Sequence, residues 1–182
     1  VSGYSFPISG AGRSDAYFLP IISTWGWATW KRAWQFNDLN AMDAEGLLTN
    51  LQVRSRFNLE NAYPYSDMLR DRLAGKNSSW GVMWYWSVFR RNGLVLFPQR
   101  SLIYNGGYDG SGVHCGKTDD PATVPIHEVL ETRIPDPLIL PDRLETAESD
   151  FQLVRSYLLK MQPAYGHGVG TLLRRIKRRL SL

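Results

Sequence analysis

At 182 residues, with 43% hydrophobic and 21% charged side chains, the chain has the length and composition of an ordinary globular domain able to bury a core. A single cysteine, Cys115, excludes an internal disulfide framework and a cysteine-rich zinc site, and no apolar run reaches the ~18 residues that a membrane-spanning helix needs. The formal charge of +4 suggests an anionic polymer as partner, but residues 168–182 hold five of the 21 basic side chains and no acid, which leaves 16 basic and 17 acidic groups in the rest. The basicity is therefore a tail on a nearly neutral body. No aromatic is interleaved among its cations, which argues against a nucleic-acid partner. The three histidines, His114, His127 and His167, are too far apart to form a metal-ligand pair on one helix.

The first 22 residues read as short strands and loops (4–8 and 16–22), with Pro7 and Pro20 limiting their length. In STWGWATWKRAW (23–34), Gly26 marks a tight turn between two tryptophans. Ser23 or Thr24 is a helix cap, and Ala28, Thr29, Trp30, Ala33 and Trp34 have helical spacing. Helices are expected over 40–48 and 51–57, and again over 67–74 behind a Ser66 cap with Gly75 at the stop. The run 80–90, capped by Ser78 or Ser79 and ended by Asn92-Gly93, is apolar on most sides and so predicts a buried helix. Strands are expected at 94–97 and 101–104, around Pro98. Beyond 116 the character changes. Residues 117–146 carry five prolines and read as an extended linker, 151–161 as a short amphipathic helix, and Gly166, Gly168 and Gly170 as a hinge before the basic tail.

Four segments have residue types suited to chemistry. The loop NGGYDGSGVHCG (105–116) places four glycines in its first eight residues, either as a surface turn or to bring backbone N–H groups close to an anion such as a diphosphate. It is neither a P-loop nor a dinucleotide fingerprint. His114 ends that loop either as a structural histidine or as a ligand. Asp67 stands at a helix start, where the dipole alone favours an acid and where a carboxylate can equally face a cleft. Among the tryptophans, all seven of which fall between Trp25 and Trp86, spacing favours Trp30 and Trp34 for the core. The turn residues Trp25 and Trp27 suit exposure and stacking on sugar rings. In the tail, Leu172, Leu173, Ile176 and Leu180 fall on one helical stripe with cations on the remainder, the composition of an interfacial helix on anionic lipid. A solvated terminus has the same composition.

Taken in order, STWGWATWKRAW, SDML (66–69), GKNSSW (75–80), WYWSVFRRNGLVLFP (84–98) and SLIYNGGYDGSGVHCG (101–116) resemble a group of bacterial GT-A-type, family 2-like glycosyltransferases, or sugar transferases. More remotely they resemble the inverting N-acetylglucosaminyltransferases of eukaryotes. The resemblance covers residues 1–116. It implies an α/β fold in which an N-terminal, Rossmann-like half holds a nucleotide-sugar and, through Asp-x-Asp, a divalent metal (Mn or Mg). A C-terminal half binds the acceptor and supplies the base. No Asp-x-Asp is present here; the nearest match, Asp43-Ala44-Glu45, lies in an expected helix. The resemblance therefore implies the C-terminal portion of a GT-A, nucleotide-diphospho-sugar transferase fold, with a mixed short sheet, buried helices and a helical C-terminal tail. Three regions follow: residues 1–116 as the acceptor-side half, 117–146 as the Pro-rich linker and 147–182 as a helical extension with the basic amphipathic tail.

Carried over residue by residue, the resemblance makes Asp67 the general base. It places Trp25, Gly26 and Trp27 in the wall that meets the sugars, and Asp109, Gly110, Ser111 and Gly112 in a loop near the diphosphate. His114 becomes the candidate metal ligand. Ser66 stands where many relatives have a second acid, and Met83 where many have a polar residue. The implied function is an inverting, nucleotide-sugar-dependent glycosyltransferase of bacterial envelope polysaccharide synthesis, incomplete without its donor-binding half. Its partners are a nucleotide-sugar, a glycan acceptor and, through residues 172–182, an anionic membrane surface. That places it in the cytoplasm, peripheral to the inner face of the membrane. The alternative is a non-catalytic carbohydrate-binding or scaffolding fragment of such an enzyme.

Overall fold

The structure, a computed structural model, describes residues 1–8, 14–41, 43–106 and 126–161, the side chains of residues 45, 48 and 126–128 excepted. Within them the chain is mixed α/β, in the order β1 (Ala16–Leu19), α1 (Lys31–Trp34), α2 (Ala44–Thr49), α3 (Leu51–Phe57), α4 (Tyr65–Leu73), α5 (Trp80–Phe89), β2 (Val95–Pro98), α6 (Ile126–Glu131) and α7 (Glu148–Met161). β1 and β2 form a two-stranded antiparallel sheet with Tyr17 opposite Phe97 and Leu19 opposite Val95.

The sequence of α5, WGVMWYWSVF, offers no polar face, and a helix that is apolar all round has to be enclosed. Val82 through Ser87 are all buried. Ser79 starts the helix by accepting a hydrogen bond on Oγ from the Val82 N–H at 3.4 Å. Asn92, with φ of 49°, ends it. The Asn92 N–H donates to the Phe89 carbonyl at 2.9 Å and the Gly93 N–H to the Val88 carbonyl at 3.0 Å, which satisfies two carbonyls the helix leaves open. α4 stops in the same way at Gly75, whose φ is 71°.

α3 begins at Leu51 because Asn50 Oδ1 accepts from both the Gln52 and Val53 N–H groups at 3.0 Å. It ends against α5. The Phe57 ring stacks on Tyr85 (centroids 4.5 Å apart, planes 13° apart), and the Tyr85 hydroxyl donates to the Phe57 carbonyl at 2.9 Å. That carbonyl is one of the four that a helix C-terminus cannot satisfy internally.

On the other side of the core, residues 1–3 thread between two segments. The Ser2 N–H donates to the Leu96 carbonyl (2.9 Å) and the Gly3 N–H to the Gly26 carbonyl (2.6 Å). The Gly3 carbonyl accepts from the Leu102 N–H (2.8 Å). α7 closes the same core, with Val154 and Leu158 buried in one cluster with Tyr17, Phe97 and Met83, and Tyr157 edge-on to Phe6. The segment before α7 is tied to the sheet through Asp15, whose N–H donates to the Ile139 carbonyl and whose Oδ2 accepts from the Ile139 N–H.

Several expectations change. The helix expected within 23–34 shrinks to the single turn of α1, because residues 26–28 are bonded to residues 1–3 instead of entering a helix. Trp30 and Trp34 are then 52% and 41% exposed, so neither is core, whereas Trp84 and Trp86 are buried as the apolar helix requires. Ser66 does not cap α4. The helix starts at Tyr65, two residues earlier than expected, and Ser66 is buried in a reciprocal pair with Asn58, whose Oδ1 accepts from the Ser66 N–H and whose Nδ2 donates to Ser66 Oγ. Residues 4–8 and 101–104 run alongside the core without joining the ladder. The Pro-rich stretch includes the short helix α6, and α7 begins three residues before the expected 151. Among the described residues no helix is long and apolar enough to cross a membrane.

Tyr17 is buried beside β2, its hydroxyl sharing a hydrogen bond with Ser5 Oγ at 3.0 Å, and burial pushes its pKa up from the ordinary 10 to about 12. A phenol with a higher pKa in the folded state contributes stability that is complete below pH 10 and is lost as pH rises toward 12. Two pKa units correspond to about 2–3 kcal/mol. Urea unfolding between pH 9 and 12 is expected to show that loss, with a shallower slope for Tyr17→Phe. Tyr85, raised further still by burial, sustains the remaining slope.

Candidate functional site

The site is built at the turn Trp25-Gly26-Trp27. Gly26 sits at a φ of +53°, and a Cβ there would lie 2.5 Å from Ile103 Cγ2. Only glycine fits both the backbone and the space. The turn sends its two indoles into different surroundings. Trp25 packs edge-on against Tyr4 (4.8 Å, 80°) on the flank of the core. Trp27 joins Trp80 (5.4 Å), Trp34 (5.8 Å) and Trp84 (6.3 Å), and Trp34 in turn meets Trp84 at 5.1 Å. Trp80 and Trp84, four residues apart, share one face of α5. Trp84 is 5% exposed and Trp80 44%, so the cluster runs from the core out to solvent.

Beside this cluster lies a cavity of about 160 Å³. Its lining includes Trp27, Trp30, Phe36 and Trp84, with Thr29 and Arg91. The Arg91 guanidinium lies over the Phe36 ring, 4.2 Å from its centroid, and the Arg32 guanidinium lies over Trp30 at 4.9 Å. The polypeptide that carries Trp34 and Phe36 is pinned to α5 through Asp38. Its N–H donates to Ser87 Oγ at 2.8 Å, and its Oδ2 accepts from Arg90 Nη1 at 3.0 Å. Asp38 Oδ1 takes the Asn40 and Ala41 N–H groups, and Arg90 also pairs with Asp43.

The expected site residues are only partly brought together. Trp27 lines the cavity and Gly26 makes its turn possible, but Trp25 packs on Tyr4 instead. Asp67 does not line the cavity. It sits in the first turn of α4 with its side chain exposed, and Oδ1 accepts from Arg70 Nη1 at 2.9 Å. Asp109, Gly110, Ser111, Gly112 and His114 lie outside the described residues, as do residues 172–182. Among the described residues no three His, Cys, Asp or Glu side chains converge to hold a metal. The sequence reading did not single out Trp80, Phe36 and Arg91. The four-residue spacing of Trp80 and Trp84 was the available signal. Phe36 and Arg91 had none, because their meeting depends on the Asp38 clamp.

No protein-family model matches the chain, and no match is found among curated proteins or among solved structures.

Two glycines at positive φ separate backbone strain from steric clash. Gly75→Ala meets open space and is expected to cost about 1 kcal/mol, the left-handed penalty alone. Gly26→Ala adds the collision with Ile103 and is expected to cost about 2–4 kcal/mol. Urea denaturation followed by far-UV circular dichroism measures both. Equal losses would show that Ile103 moves aside.

Proposed function

We propose that the chain is the acceptor-side part of a GT-A-type, inverting, nucleotide-sugar-dependent glycosyltransferase that builds bacterial envelope glycans. The observation that carries this reading is Trp27. The motif that resembles the family's sugar-facing wall is also the turn that places an indole in an aromatic cavity at the protein surface. Indole faces offer flat apolar area to the C–H faces of a sugar ring at little cost in side-chain entropy.

Asp67 is the proposed base by resemblance. An acceptor hydroxyl attacks the anomeric carbon from the face opposite the departing diphosphate, and its proton passes to the carboxylate. With Oδ1 held by Arg70, Oδ2 is the oxygen open to that proton. Because Asp67 does not line the cavity, a ring stacked on Trp27 is a unit of the acceptor glycan other than the one that reacts. In this reading the divalent metal and the nucleotide-sugar belong to the donor-binding half, and residues 172–182 rest on anionic lipid. The same separation of Asp67 from the cavity favours the second reading, a carbohydrate-binding or scaffolding module without chemistry.

The two readings differ in a transfer assay. Sugar transfer from nucleotide-sugars by a gene product carrying both halves is expected to fall on the order of 10²–10⁴-fold in kcat for Asp67→Asn. Unchanged kcat removes Asp67 from the role of base. Co-sedimentation with vesicles containing anionic lipid is expected for the 182-residue chain and to be lost on truncation after residue 167.

A further inference from the structure

We infer that the aromatic cavity selects an anionic pyranose, a sugar ring bearing a carboxylate or a phosphate, and that Arg91 is the residue that sets this preference. The inference rests on the sugar-binding reading above and specifies its substrate class.

Arg91 is set apart from the other arginines by its place: it lines the cavity, and among the described residues it makes no ion pair or side-chain hydrogen bond. Arg70 pairs with Asp67, Arg90 with Asp38 and Asp43, and Arg155 with Glu60, while Arg56 donates to Asn92. Arg91 makes none of these contacts among the described residues. Its guanidinium carbon lies 4.2 Å from the centre of the Phe36 ring, a contact that occupies one face of the cation, and the guanidinium N–H groups meet no acceptor among the described residues. Those N–H groups belong to the one charged side chain in the lining. The other polar side chains offer less. Ser87 Oγ donates to the Met83 carbonyl and accepts from the Asp38 N–H, and Ser23 Oγ accepts from the Trp25 N–H, so the Ser23 O–H and the Thr29 hydroxyl are the groups left for a ligand.

The site therefore combines an indole wall for a ring with a planar cation for a bidentate anion. Arg32, stacked over Trp30 at the rim, adds a second positive charge. This local field is not a by-product of a basic protein, since the chain without residues 168–182 carries one more acid than base. The volume, about 160 Å³, is below the roughly 300–1,000 Å³ of sites for drug-sized ligands, which limits the occupant to about one ring.

The test titrates five probes into the full 182-residue chain and follows indole Nε1–H shifts by NMR. They are methyl glucuronide, glucose 6-phosphate, methyl glucoside, acetate and inorganic phosphate. One of the two anionic sugars is expected to bind about tenfold or more tighter than methyl glucoside, the gain typical of a charge-assisted hydrogen bond. The tighter of the two identifies the anion. Acetate and inorganic phosphate alone are expected to leave the indoles unmoved. In Arg91→Gln the ratio of anionic to neutral sugar affinity is expected to collapse to about one, and in Arg91→Lys to recover in part, with far-UV circular dichroism showing both variants folded. Equal binding of neutral and anionic sugars overturns this inference and leaves the sugar-binding reading standing. So does an undiminished ratio in Arg91→Gln. Ringless anions that bind as well as anionic sugars overturn the pyranose, and no response to any sugar overturns both readings.

Discussion

One helix with no polar face dictates the arrangement of the rest. α5 can exist in water only if other elements cover it, and no single neighbour is wide enough. α3 covers one side through the Phe57–Tyr85 stack, and Phe57 also meets Trp86 and Phe89. The sheet and α7 contribute Tyr17, Phe97, Val154 and Leu158 to the same cluster. The hydrophobic gain is large only because the polar ends are also satisfied. Ser79 caps one end, Asn92 and Gly93 close the other, and the Tyr85 hydroxyl takes the open carbonyl of α3.

The candidate site is where this enclosure stops. At its N-terminus α5 reaches the surface, so Trp84 remains covered while Trp80, one turn earlier, is half in solvent. Trp27 and Trp34 extend the same aromatic surface outward from other parts of the chain. An aromatic surface made this way rests directly on the core beneath it. The Asp38–Arg90 clamp and the Gly26 turn fix its remaining edges. Asp67 has a different setting: it is on the exposed face of α4 and is tied only to its own helix by Arg70. Asp67 and the aromatic cavity thus occupy separate parts of the fold.

The sequence made the local elements readable wherever a single residue type had a single physical role. Asn50, Ser79, Gly75 and Asn92 mark helix ends, and each does so through a backbone bond that can be named from sequence spacing. The strands within 16–22 and 94–97 and the burial of α5 follow from apolar patterning, whereas the pairing of the two strands with each other does not. Where long-range hydrogen bonds decide, the pattern misleads. Residues 28–34 have helical spacing, yet bonding of residues 26–28 to residues 1–3 delays the helix to 31, and Trp30 and Trp34 are left exposed. The site was legible in Gly26 and Trp27. It was not legible in Arg91, whose position over Phe36 depends on a clamp between residues 38 and 90.

Four indoles, those of Trp27, Trp34, Trp80 and Trp84, form a continuous set in which each ring lies 5.1–6.3 Å from at least one other. At such separations the transition dipoles of aromatic chromophores couple, and an excitation belongs to the group rather than to one ring. The far-ultraviolet circular dichroism that such coupling produces is therefore a property of the aromatic cluster as a whole. Any change that tilts one of the four rings alters the whole band, so the cluster carries an optical report of its own geometry.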